Sequence, residues 1–347
     1  MKLNPAILYI ILLVVLISCR NKNGTPKNSD SSTKSDFTIA FGSCNNQTLK
    51  NELWNEILKN HPKVWIWGGD IIYSDTEDMN YMRENYSLQK ENEEYVNFRE
   101  KVDVLGTWDD HDYGVNDGGY EYPKKEEVQQ LLLDFLDVNQ NDDRRYRKGV
   151  YHSKTYKIDT KSVKVILLDT RYFRTPLSED TETKKRYKPS LNAQGTMLGK
   201  IQWQWLEEEL CNSTSDFHII MSSVQFLSYE HGYETWGLMP YEVEYLEQVL
   251  INSKAKNCII LSGDRHISEI SKKEIEGLRY PLIDFTSSGM THSYSAFKGE
   301  PNKYRISEVV YDKNFGLLHF NFNKKEVTME IRGLKNELLQ TYTQMYH

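Results

Sequence analysis

The sequence predicts an α/β fold with crossover connections, and three features carry the prediction. Short β-branched or aromatic runs recur along the chain, segments of helical periodicity lie between several of them, and run after run ends in a small residue followed by an acid, a histidine or a cysteine. Alternating strands and helices place parallel strands side by side with helices packed on their faces.

The elements follow in chain order. Residues 1–18 begin with a basic Lys2, are almost wholly apolar over 6–17, and lead into Cys19 through Leu16-Ile17-Ser18. That run is shorter than the roughly 20 residues a helix needs to span hydrocarbon, so a secretory leader fits better than a membrane helix. The Leu-Ile-Ser-Cys ending resembles a bacterial lipobox, whose cysteine is lipidated and becomes the first mature residue. Residues 19–36 carry no large apolar side chain after the cysteine and cannot bury enough surface to order themselves. They read as a tether. The expectation is an exported protein anchored by lipid at Cys19 to the cell envelope, on the outer membrane where the host has one. No paired arginines precede the apolar run, so export is expected in the unfolded state, with metal acquired outside. Residues 37–347 are even in composition, without a Pro/Gly/Ser linker or an internal repeat, and read as one catalytic-sized domain.

Within that domain strands are expected at 37–41, 64–67, 102–108, 163–168, 217–221, 258–261, 282–285, 315–322 and 327–331. A helix is expected from Pro240, a first-turn proline followed by Val243, Leu246 and Leu250 at helical spacing, and another carries Ile201, Trp205 and Leu210. With 39% hydrophobic residues the chain should fold, and a net charge of −7 without a basic stripe argues against nucleic acid as a standing partner. Beyond Cys19 three cysteines remain, Cys44, Cys211 and Cys258. An odd number in an exported chain leaves at least one thiol with another task.

The polar residues at the strand ends carry the chemistry. They read Gly42-Ser43-Cys44-Asn45, Gly68-Gly69-Asp70, Trp108-Asp109-Asp110-His111-Asp112 and Gly263-Asp264-Arg265-His266. Taken singly, each has an ordinary structural reading as a turn, a capped loop, a salt bridge or a small buried hydrophobe. Taken together they converge, because the carboxyl ends of parallel strands line one crevice. Crowded carboxylates repel unless a cation sits among them, and a set of acids with imidazole and a thiolate suits metal ions.

The order of these motifs resembles the calcineurin-like metallophosphoesterases, and the variant letters resemble one branch, the alkaline phosphatase D (PhoD-type) family. The Gly-Ser-Cys segment, Gly69-Asp70-Ile71-Ile72-Tyr73, Trp108-Asp109-Asp110-His111-Asp112 and Gly263-Asp264-Arg265-His266 stand in that branch's order, joined by Leu168-Asp169-Thr170-Arg171 and Ser287-Ser288-Gly289-Met290-Thr291-His292. The resemblance covers residues 37–322 and implies a four-layer αββα sandwich with mixed sheets. It implies a metal-dependent hydrolase of small phosphomonoesters, phosphodiesters or both, with two or more metal ions, iron together with calcium, other divalent metals being the alternative. Asp70 would bridge the metals, Cys44, Asp110, Asp264 and His266 would ligate them, and His111 would act at the leaving oxygen. Relatives also use a tyrosinate on iron, for which Tyr73, Tyr81 and Tyr86 are all candidates that the spacing does not separate. Asn116 is a further candidate ligand, and Arg171 would contact phosphate or form a structural salt bridge. No histidine stands at Val224-Gln225-Phe226, where the wider superfamily has one, so an imidazole-rich dizinc site is not expected. Tyr229, Tyr233 and Trp236 would floor a pocket for phospholipid or sugar phosphodiesters in one alternative. In the other, the chain is a surface lipoprotein that binds metal without turnover.

Overall fold

The computed structural model describes residues 35–191 and 195–347; Cys19, the leader and the tether through residue 34 lie outside the described residues. Two six-stranded mixed sheets form the frame. In the first, β1 (Phe37–Gly42), β2 (Val64–Gly68) and β3 (Asp103–Thr107) run parallel, while β10 (Asn314–Asn321), β11 (Glu326–Gly333) and β12 (Leu338–Met345) extend it antiparallel from β1. In the second, β5 (Lys161–Leu167), β6 (Phe217–Met221), β7 (Cys258–Ser262) and β9 (Leu282–Ser287) are parallel, and β4 (His152–Ile158) and β8 (Ser268–Lys273) close the edges antiparallel.

The period of two along each strand builds the layers. Phe37, Ile39 and Phe41 of β1 join the core shared by the two sheets, whereas Ala40 turns to the other side. Across the sheet interface Phe41 meets Phe285 edge-on at 4.8 Å, and Phe217 meets Phe320 at 5.3 Å. On the outer face of the first sheet Trp65 and Trp67 pack edge-on against Trp54 of α1 (Trp54–Leu58), at 5.5 and 5.4 Å. Helices α2 (Met79–Lys90), α3 (Glu93–Arg99) and α5 (Lys125–Phe135) complete that layer, and the one-turn α4 (Asp110–Tyr113) follows β3. Helices α6 (Gly199–Cys211) and α7 (Pro240–Ser253) contribute Leu206, Leu210, Val243, Leu246 and Leu250 to the core of the second sheet. The result is helix, sheet, sheet, helix, as the family resemblance implies.

Two expectations need correction. Strands β4, β8 and β12 have no counterpart among the expected runs: all three are edge strands rich in polar residues, as in Ser268–Lys273, where Ile270 is the single apolar side chain, so no continuous apolar run marks them. In α6 the buried face is Gln202, Trp203, Leu206 and Leu210, while Ile201 faces solvent, because Trp203 buries more surface than Ile201 and sets the helix rotation.

Candidate metal centre

The parallel strands of both sheets point their carboxyl ends at one place, and hydrogen bonds tie the two sets together there. Thr107 Oγ1 donates to the Leu168 carbonyl at 2.7 Å, and Ser43 Oγ donates to the Ser287 carbonyl at 3.3 Å. The chain must turn sharply after each strand. Cys44, Asp70, Asp264 and His266 all adopt left-handed backbone, with φ of 60, 50, 67 and 56°. Each such residue costs on the order of 1 kcal/mol, and side chains kept there against that cost cluster at functional sites. Gly69 makes one of these turns possible, since a Cβ at that position would stand 2.4 Å from Asp109 Cβ.

The turns bring the donor atoms together. Cys44, Asp70 and His266 each place a ligand atom within 4.8 Å of the others, as do Asp70, Asp110 and His111, then Asp109, Asp110 and Asp264, then Asp110, Asp117 and Glu234. Asp70 belongs to the first two sets and Asp110 to the last three. Tyr73 completes the group: its hydroxyl donates to Asp70 Oδ2 at 3.1 Å and lies 3.1 Å from His266 Nε2. Cys44 Sγ is 3.3 Å from Asp70 Oδ2 and 3.0 Å from Ser288 Oγ. Tyr81 is exposed on α2, and Tyr86 is buried with its hydroxyl donating to the Asp112 carbonyl, so neither reaches the centre.

Electrostatics show that the positive charge around this set falls short of its acids. Burial, then the Asp110 charge, pushes the Asp70 pKa far above the carboxylate range. Burial with the Asp109 and Asp110 charges does the same to Asp264. Burial and the Asp70 charge also raise the Cys44 thiol and the Tyr73 phenol. His266 is held neutral, its pKa lowered to about 4 by burial and by the charges of His292 and His111. Asp110 alone is lowered: burial is outweighed by the Arg171 and His111 charges and by the backbone N–H of Asp117. Without a cation most of the cluster favours its neutral form, and with one it becomes a set of anionic and neutral donors. Thiolate, phenolate, imidazole and carboxylate in one shell fit metal ions.

His111 stands at the edge. Its ring stacks on Tyr73 at 4.2 Å, and Nδ1 lies 2.7 Å from Asp75 Oδ2. Burial opposes the charged ring, but the hydrogen bond to Asp75 and the charges of Asp70 and Asp110 prevail, and its pKa is pushed up to about 10. Beside it opens a cleft of about 320 Å³, lined among others by Asp110, His111, Asn116, Tyr233, Asp264 and His266. Asn116 is exposed on this cleft.

Comparison with known proteins agrees with this geometry. The family model described as PhoD-like phosphatase matches residues 39–330. The chain belongs to the PhoD-like phosphatase family. Alkaline phosphatase D of Bacillus subtilis (strain 168) is 26% identical over 118 residues, 32% of this chain and 20% of that protein. The matched stretch thus spans about a fifth of that relative's length. Among solved structures, "Structure of PhoD" superposes with a TM-score of 0.69 at 15% identity, covering 89% of this chain and 68% of that one. A dimetal phosphatase from Danio rerio superposes with a TM-score of 0.56 at 13% identity, covering 90% of this chain and all of the other (100%). These two likenesses concern the fold.

Several sequence readings change once this PhoD-like centre is seen in three dimensions. Arg171 does not reach the cleft. Its guanidinium is fully buried, paired with Asp109 and with Glu234 Oε2, and it donates to the Gly118 carbonyl. The phosphate-contact role is therefore corrected to the structural salt bridge. Of the proposed aromatic floor only Tyr233 lines the cleft; Trp236 is buried in the core, and Tyr229 packs on Tyr304 at 5.9 Å. Gln225 donates to Glu269 and Thr286, both at 2.9 Å, and brings no imidazole to the centre. Cys211 is exposed and Cys258 is buried in β7, both as free thiols. Sequence reasoning missed Asp75, which orients His111, and His292, whose ring stands edge-on to His266 at 4.6 Å and to Tyr73 at 5.0 Å. His292 ends a motif that the family resemblance already singles out, whereas nothing local marks Asp75.

Proposed function

We propose that the protein is an exported, lipid-anchored phosphoester hydrolase whose metals are iron and calcium. The observation that carries this reading is the convergence of Tyr73 and Asp110 with Cys44, Asp70, Asp264 and His266, the last four on left-handed turns, where burial and mutual repulsion push Asp70 and Asp264 far above the carboxylate range. Cys44, Tyr73 and His266 suit iron, and the carboxylates of Asp110 and Asp264 suit calcium, with Asp70 between the two and Asn116 available from the cleft wall. Two cations held there would neutralise the charge on a phosphoester and lower the pKa of a water beside them.

The chain's own residues supply the rest. The Asp75 carboxylate accepts from His111 Nδ1, which leaves Nε2 to hold a proton toward the cleft. Delivered from there, the proton stabilises the departing alkoxide, the worst leaving group in the reaction. The buried Asp109–Arg171–Glu234 array fixes the loop that carries Asp110 and His111. Cys19 would tether the domain to the envelope. A turnover screen of phosphomonoesters and phosphodiesters on metal-analysed protein tests the hydrolase, with mass spectrometry of the mature N-terminus for the anchor. Metal binding without turnover on any ester would contradict the first, and an unmodified Cys19 the second.

A further inference from the structure

The Arg171 correction leaves the phosphoryl group without a protein cation, and the structure supplies another. Besides His111, the side-chain cations lining the cleft are Arg186 and Arg265, set among Asp110, Asp117, Glu234 and Asp264. Arg186 is half exposed and already held by Asp117 at 2.8 Å. Arg265 is built in. Its side chain is only 10% exposed, and Nη2 donates to both carboxylate oxygens of Glu300 at 2.8 and 2.9 Å. The guanidinium lies over the Tyr233 ring, 4.3 Å from the centroid, and the backbone N–H is held by the Gly263 carbonyl at 2.8 Å. Nε is buried without a hydrogen-bond partner.

A buried guanidinium N–H left unpaired is costly, and Glu300 takes up Nη2 alone, which leaves Nε and Nη1 without a partner among the described residues. Charge-assisted hydrogen bonds to the oxygens of a tetrahedral anion would use these donors. Arg265 also sits in sequence between Asp264 and His266, both in left-handed turns, so its backbone shares the frame of the centre. We infer that Arg265 binds non-bridging phosphoryl oxygens of the substrate, held for that task by Glu300 and Tyr233. This rests on the phosphoesterase reading and deepens it by naming the group that recognises the ester.

Calorimetric titration of the metal-loaded protein with inorganic phosphate tests it apart from turnover, with metal content matched by elemental analysis. Arg265→Met should weaken phosphate binding about 10- to 100-fold, the scale of a charge-assisted hydrogen-bonded pair, and raise KM for phenyl phosphate more than it lowers kcat. Arg186→Met should change phosphate affinity by less than about threefold, as expected for an exposed pair. Should Arg265→Met fail to hold metal, Arg265→Lys makes the same comparison, with an expected loss of at least about threefold because ammonium cannot fork. Affinity within twofold of wild type at equal metal content, in whichever variant holds metal, would overturn the assignment to Arg265 and leave the hydrolase standing. Wild-type protein that binds no phosphate and turns over no ester would overturn both.

Discussion

Two acid-rich regions lie side by side at the strand ends, and they differ in where their countercharge comes from. In the first, Asp109 and Glu234 are buried against Arg171 and Arg174, with Glu234 meeting one guanidinium on each oxygen at 2.5 and 2.9 Å. In the second, Asp70, Asp110 and Asp264 gather with Cys44, Tyr73 and the neutral His266, and the charges of Arg171 and His111 lower Asp110 while Asp70 and Asp264 stay raised. Both are made of the same residue type at the same place in the fold. Asp109 and Glu234 bond directly to buried guanidinium groups and serve as architecture, whereas Asp70 and Asp264 bond to none among the described residues, an excess of buried acid that a cation from outside would neutralise.

Replacing Asp70 should break the contrast most severely. Asp70→Ala should lose metal and activity together, with turnover down on the order of 10⁴-fold on every substrate, because the metals supply several kcal/mol of charge stabilisation. Metal content equal to wild type in that variant would remove the bridging role. His111→Ala should act on the chemistry and spare the metals. An alkyl ester should slow by roughly 100- to 10,000-fold and a nitrophenyl ester far less, since the nitrophenolate leaves without a proton. Equal losses on the two esters would show that His111 only supports its loop.

The balanced region answers to a different measurement. Arg171→Met should destabilise the fold by about 3–5 kcal/mol, read by denaturant unfolding, because Asp109 and Glu234 lose a buried partner. Weaker substrate binding with unchanged stability would restore Arg171 as a phosphate contact. A smaller effect concerns the proton on His111. The Asp75 hydrogen bond raises its pKa, so Asp75→Asn should lower it and move the alkaline limb of kcat to lower pH by about one unit. Asp75 is partly exposed, which limits the shift. An unmoved limb would mean that another group sets it.

The sequence makes the frame legible to different depths. The buried strands announce themselves, since Val64–Gly68 or Cys258–Ser262 can only be interior runs, whereas edge strands such as His152–Ile158 alternate and resemble loops. The Trp-Asp-Asp-His-Asp segment shows where reading residue types stops. Trp108 donates to Asp169 at 2.8 Å, Asp109 pairs with Arg171, Asp110 joins the centre, His111 faces the cleft, and Asp112 accepts from the Asp109 and Ile71 backbone at 2.6 and 3.0 Å. Neighbours in sequence thus hold separate tasks, and only the partner across the sheets decides which. Arg171 and Arg265 illustrate the same limit: both follow strand-end acids, one is spent on Asp109 and Glu234, and the other keeps an unpaired Nε.

Cations that complete the acid-rich cluster must displace its protons, and proton release reports that step directly. In the metal-free fold Asp70 and Asp264 keep their protons to higher pH than in the unfolded chain, so the contribution of these two groups to stability should rise as pH falls from neutrality toward the unfolded carboxylate pKa of about 4. Metal must displace those protons along with those of Cys44 and Tyr73. Calorimetric metal titration near pH 7, repeated in two buffers of different ionisation enthalpy, should show binding that releases one or more protons per chain in wild type and fewer in Asp70→Ala. Wild-type protein that binds no metal, or binds it without releasing protons, would contradict the account.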